Sequence, residues 1–194
     1  GGGRRPPAPP LAETAGRGGL GRRVGELRRV PAGWRRREVD FGDGPVLTVT
    51  IPWGDVSTAY HSTGIPDVEV YAAASRGAVG ALRASRLAGP ILSTRPVQRM
   101  LKAWIRRRPP GPDRQARERG EARVWGEVED ERGRRAIARL RTPEGYTLTA
   151  RSAVAIVERV LRGELVPGFQ TPSRVYGPDL ILEFDGVTRE DVAA

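Results

Sequence analysis

Between Glu121 and Arg141, polar and apolar residues alternate along two stretches joined by Asp130-Glu131-Arg132-Gly133. A period of two sends successive side chains to opposite faces of a strand. In the first stretch Ala122, Val124, Gly126 and Val128 share one face, and Arg123, Trp125, Glu127 and Glu129 share the other. In the second, Ala136, Ala138 and Leu140 oppose Arg135, Ile137, Arg139 and Arg141. Two such stretches around an acidic, glycine-ended turn predict an antiparallel hairpin with cross-strand Glu–Arg pairs. A two-stranded ribbon is marginal alone, so this feature obliges the chain to supply a wider sheet or covering helices.

The remaining pattern supplies both. Leu27 to Val39 reads as a basic loop and a short strand, and Phe41-Gly42-Asp43-Gly44-Pro45 as a turn. Val46–Ile51 is β-branched between Pro45 and Pro52 and predicts a strand. A short helix follows Trp53, with Asp55 or Ser57 as N-cap and Gly64-Ile65-Pro66 as the stop. Val68–Ala73 alternates like a second strand, and Arg76–Leu87 reads as a helix broken at Gly89-Pro90. Another helix starts at Thr94 with Pro96 in its first turn. Val97, Met100, Leu101, Trp104 and Ile105 recur in it at helical spacing.

Arg106-Arg107-Arg108 complement that helix's dipole, a commoner role than a phosphate clamp, before Pro109-Pro110-Gly111 ends it. Pro109 to Arg119 reads as a polar connector. Thr147 or Thr149 caps a helix whose stripe is Ala153, Val154, Ile156, Val157, Val160 and Leu161, closed by Gly163. Leu180–Phe184 predicts a final strand. The expected fold is α+β: a largely antiparallel or mixed sheet covered by helices on one face. Residues 1–24, rich in Gly, Pro and Arg, are expected to form a disordered leader, and 25–194 one folded domain.

Composition narrows the chemistry. The 194 residues contain no cysteine, which excludes disulfides, thiolate catalysis and thiolate metal sites. A single histidine, His61, argues against a protein-built zinc site. No apolar run has bilayer length, so the expected location is cytoplasmic, with no membrane partner. The net charge of +10 invites a nucleic-acid reading. Against it, Lys102 is the only lysine, and the arginines are spread through the chain, often beside Glu or Asp. Such lopsided usage, with abundant Gly, Ala and Pro, matches the codon bias of a GC-rich genome, and nucleic acid is not the favoured partner.

Gly16-Arg17-Gly18-Gly19-Leu20-Gly21 spells G-x-G-x-x-G, but a dinucleotide turn needs a strand before it and a helix after it, and Pro-rich sequence precedes it. No Walker loop or nucleophile elbow is present, and Lys102 has no tyrosine four places earlier. The segment Trp53–Pro66 is different in kind. It gathers a carboxylate (Asp55), a phenol (Tyr60), an imidazole (His61) and hydroxyls including Thr63 between glycines. A hydride-transfer site needs a proton donor near a substrate oxygen or nitrogen, and His or Tyr can provide it. The same residues also suit a plain structural role: a cap, a packed ring and a histidine at an edge.

Trp53-Gly54-Asp55 followed by Thr58-Ala59-Tyr60-His61-Ser62-Thr63-Gly64-Ile65-Pro66 resembles a motif of bacterial saccharopine dehydrogenase-like oxidoreductases. A second block resembles the same group. It runs from Glu144-Gly145-Tyr146-Thr147-Leu148-Thr149-Ala150, through Val160-Leu161-Arg162-Gly163, to Pro167-Gly168-Phe169-Gln170-Thr171-Pro172 and Tyr176-Gly177. The likeness spans about Gly25 to Arg189.

The resemblance implies the C-terminal, substrate-covering and dimerising α+β domain of an enzyme that uses NAD or NADP. The N-terminal Rossmann domain would be missing from this chain, leaving it inactive alone with no cofactor bound. It further implies a homodimer and a small-molecule substrate. His61 would be the proton donor, with Tyr60 second and Asp55 orienting its neighbour; Thr63, Gln170 and Thr171 would line the substrate cleft. The alternatives are a non-enzymatic dimer module anchored by Trp125 and Ile137, and an arginine-driven nucleic-acid binder.

Overall fold

The computed structural model describes residues 19–31, 33–80, 94–107 and 114–192. They form an α+β fold of small antiparallel sheets and helices, in two compact units. Unit 1 comprises Gly1–Glu38 and Val46–Gly111; unit 2 comprises Val39–Pro45 and Pro112–Ala194. The single sheet expected from the sequence is replaced by a two-stranded sheet and two three-stranded ones.

In unit 1, β1 (Gly19–Arg23) pairs antiparallel with β2 (Glu26–Val30) around Val24-Gly25. Both turn residues have positive φ, 51° and 76°, as a two-residue hairpin with right-twisted strands requires. The Asp67 carboxylate accepts the Val24 N–H at 2.9 Å, and Pro66 accepts Gly25 N–H at 2.9 Å. The expected leader therefore ends earlier: residues 19–24 belong to a paired ribbon, and residues 1–18 lie outside the described residues. Glycine content suggested disorder, but a backbone ladder needs no side chains to form.

Next come β3 (Arg36–Asp40), β4 (Pro45–Thr50) and, after helix α1 (Asp55–Thr63), the short strand β5 (Tyr71–Ala73), in sheet order β3-β4-β5. Thr48 is fully buried and donates to Arg37 C=O at 2.7 Å. Val49, Val56 and Val79 are buried with it. Of the expected strand Val68–Ala73, only Tyr71–Ala73 ladders with β4, while Val68 bridges to Arg22. Residues 76–80 are helical, and the rest of the helix expected to Leu87 lies outside the described residues. Helix α2 spans Arg95–Arg106, with Thr94 C=O accepting Gln98 N–H.

In unit 2, α3 (Arg114–Arg119) stands where a connector was expected. The hairpin forms as read: β6 (Glu121–Glu129) pairs with β7 (Arg135–Pro143) in the register Val124↔Leu140 and Trp125↔Arg139. Arg139 on β7 donates to the C=O and carboxylate of Asp40, and Arg123 pairs with Asp43. The Trp125 face thus meets the Val39–Pro45 segment and is not a bare outer surface.

Helix α4 (Gly145–Leu161) is capped by Glu144, whose carboxylate accepts the N–H groups of Tyr146 and Thr147 at 3.0 and 3.2 Å. The threonines expected as caps lie inside it. Pro172–Tyr176 forms α5, and Pro178–Glu183 a 3-10 helix. Residues 180–183 of the expected strand Leu180–Phe184 are thus helical, because a short apolar run fits either state and Leu180 is buried from this one. The last strand is the polar β8 (Thr188–Val192), added antiparallel to β7. Among the described residues, no helix is long and apolar enough to cross a membrane.

Candidate functional site

Helix α1 carries Asp55, Tyr60, His61 and Thr63. It starts from Gly54 without a side-chain cap, so neither Asp55 nor Ser57 is the N-cap. Asp55 instead sits in the first turn, where a carboxylate favours the helix dipole. The helix stops because Gly64 turns left-handed at φ 73° and its N–H returns to Tyr60 C=O at 2.8 Å. Val56 anchors it at 2% exposure.

The hydroxyls of this segment face their own helix. Thr58, Ser62 and Thr63 donate to the carbonyls four residues back, at 3.3, 3.1 and 2.8 Å. Thr63 Oγ1 also accepts Ile65 N–H at 3.2 Å. Much of the hydroxyl content is thereby used to close a short helix against its glycine stop.

Asp55 and His61 are exposed, and Tyr60 is half-buried. The Tyr60 and His61 rings meet edge to face, with centroids 5.7 Å apart at 71°. Asp55 and His61 are six positions apart, which is about 240° of helix rotation. Asp55 therefore does not sit beside the imidazole, and the orienting role expected of it does not follow from this helix.

Arg22 was not singled out in the sequence, and it organises the cluster. At 6% exposure it donates from Nε to Val56 C=O at 2.9 Å and from Nη1 to Gly25 C=O. Its guanidinium lies 4.4 Å from the Tyr60 ring centroid, a cation–π distance. The Val24-Gly25 hairpin turn was the available signal, since it places Arg22 in a strand. Nearby, the Glu69 carboxylate takes Arg23, Arg35 at 3.1 Å and the Tyr71 hydroxyl at 2.5 Å. Trp34 is stacked with both arginines, at 5.5 and 4.7 Å.

Gln170 and Thr171 belong to unit 2. Gln170 Nε2 donates to Pro167 C=O at 3.3 Å, bracing its own loop. Thr171 is 8% exposed and precedes α5, with its C=O accepting Arg174 and Val175 N–H. The glycine-rich stretch does not fit a dinucleotide: Gly19 and Gly21 lie in β1, and a hairpin turn, not a helix, follows them. No group of His and acidic residues suited to a metal ion occurs among the described residues.

No protein-family model, curated protein or solved structure matches this chain. The cluster presents an exposed imidazole edged by a phenol, on a helix held by a buried arginine.

Proposed function

We propose that this chain is the substrate-covering and dimerisation part of a saccharopine dehydrogenase-like oxidoreductase, which transfers hydride with NAD or NADP when joined to a Rossmann domain. The reading rests on the two sequence blocks described above. The observation that carries it is the exposure of His61 on a short, well-anchored helix beside Tyr60. A proton donor must reach a substrate oxygen or nitrogen, and an exposed imidazole can. Tyr60, held under Arg22, fixes one side of that imidazole.

A second feature supports a covering role. Val154, Val157 and Leu161 on α4 are 59%, 57% and 81% exposed, an apolar face of the kind that another domain or subunit covers.

The test compares the chain alone with the chain joined to a Rossmann domain of the same enzyme class. Alone, it should not quench or enhance NADH or NADPH fluorescence; micromolar affinity would contradict the division of labour. Joined, it should oxidise the reduced nucleotide with substrate, and His61→Asn should cut kcat by about 10²-fold or more. Full activity in His61→Asn would remove the imidazole from the mechanism.

A further inference from the structure

We propose that α2 docks this protein on an anionic lipid surface, lying in the headgroup region without crossing it. The helix has twelve residues, too few to span a bilayer, and contains no acidic side chain. In the sequence, cations recur at positions 95, 99, 102 and 106, the spacing of one helical stripe. Arg95, Arg99 and Arg107 are exposed.

Large apolar side chains are exposed on the same helix. Met100 is 64% and Trp104 55% exposed, four residues apart and so one above the other. Taken at 100° per residue, the exposed side runs from Arg99 through Ala103 and Arg107 to Met100 and Trp104. Arg107 thus borders the apolar ridge, Arg99 and Arg95 lie at the other margin of the exposed side, and Val97 and Gln98 are half-buried. A helix with exposed arginines together with exposed Trp and Met suits the boundary between phosphate headgroups and acyl chains.

The charge of the whole unit agrees. Among the described residues, unit 1 carries 13 Lys and Arg against 5 Asp and Glu, whereas unit 2 carries 14 against 16. The excess of +10 in the sequence is therefore concentrated on the unit that bears α2. Polybasic segments gain affinity from anionic lipid and lose it in salt. A polynucleotide would satisfy the arginines but would leave Met100 and the Trp104–Met100 ridge without an apolar phase, so lipid is the better match.

The test is flotation of the full chain with vesicles of phosphatidylcholine alone, or mixed equally with phosphatidylglycerol. Binding should require phosphatidylglycerol and fall with salt. Met100→Ser with Trp104→Ser should weaken it about tenfold or more, and Arg99→Gln with Arg107→Gln by a similar factor. Brominated lipid should quench wild-type tryptophan fluorescence, with that quenching reduced in Trp104→Phe, a readout that needs no disruptive variant. No binding to the mixed vesicles would overturn the proposal. So would binding that ignores the Met100 and Trp104 changes while duplex DNA is retained through the arginines, an outcome that would assign the helix to nucleic acid. Neither result depends on hydride transfer, so failure here is distinct from failure of the oxidoreductase reading.

Discussion

The guanidinium of Arg22 lies over the ring of Tyr60 at 4.4 Å, tying the first hairpin to the helix that presents His61. Its Nε also satisfies Val56 C=O, inside that helix. Arg22→Ala removes these bonds and the ring contact together. The expected loss is about 3 kcal/mol, seen as a lower urea midpoint with little change in slope. Arg22→Lys should recover only a minor part, because a point charge cannot donate in two fixed directions. Wild-type stability in Arg22→Ala would show that the arginine is incidental.

Thr48 is wholly buried, and its hydroxyl donates to Arg37 C=O at 2.7 Å. Thr48→Val keeps the shape and leaves that carbonyl with one partner fewer. A loss of about 1–2 kcal/mol is expected by chemical denaturation. Thr48→Ser keeps the donor and should cost less than Thr48→Ala, since it removes only one methyl group.

Gly25 holds φ at 76°, and a Cβ there would meet the Tyr60 hydroxyl at 3.6 Å. That spacing is ordinary contact, so the cost of Gly25→Ala comes from the backbone angle. About 1 kcal/mol is expected. For a unit of this size, thermal melting should shift down by about 4–8 °C. An unchanged melting temperature would mean the turn adopts another type without loss.

Asp40 supplies an acid-sensitive contact of unit 2. Its carboxylate accepts Gly42 N–H at 2.8 Å and Gly44 N–H at 3.0 Å, and pairs with Arg139 at 2.8 Å. The Gly42 amide, then the Gly44 amide, hold its pKa below the usual carboxylate value; desolvation opposes them, and the charge of Arg139 adds a smaller lowering. A group depressed in the folded state stabilises it above the unfolded pKa, and that stability is lost as pH falls through the folded value. Asp40→Asn should therefore lower the urea midpoint at neutral pH, and the two proteins should converge under strongly acid conditions. A gap that persists unchanged into acid would show that the carboxylate charge is not the cause.

The local elements were legible where local chemistry decides them. The hairpin of β6 and β7 follows from its period of two and its Asp130-to-Gly133 turn. The end of α1 follows from Gly64, and that of α4 from Gly163, at φ 73° and 85°. Of the candidate residues, His61 and Asp55 lie on the short helix read from the sequence, and both are exposed. Gln170, expected as a ligand contact, also donates to Pro167 C=O and so braces its own loop.

What the sequence alone determined is the set of elements whose signals lie within a few residues: the strands with proline or turn boundaries, the glycine-stopped helices and the paired ribbon. The tertiary structure decided which faces are covered. Apolar spacing on α4 predicted a core stripe, yet Val154, Val157 and Leu161 stand exposed while Leu148, Ala155 and Ile156 are half-buried. It also turned Leu180–Glu183 into a 3-10 segment and drew Gly19–Arg23 into a ladder. Such choices depend on which distant surface and which backbone partner are within reach, and a period in the sequence names a face without naming its neighbour.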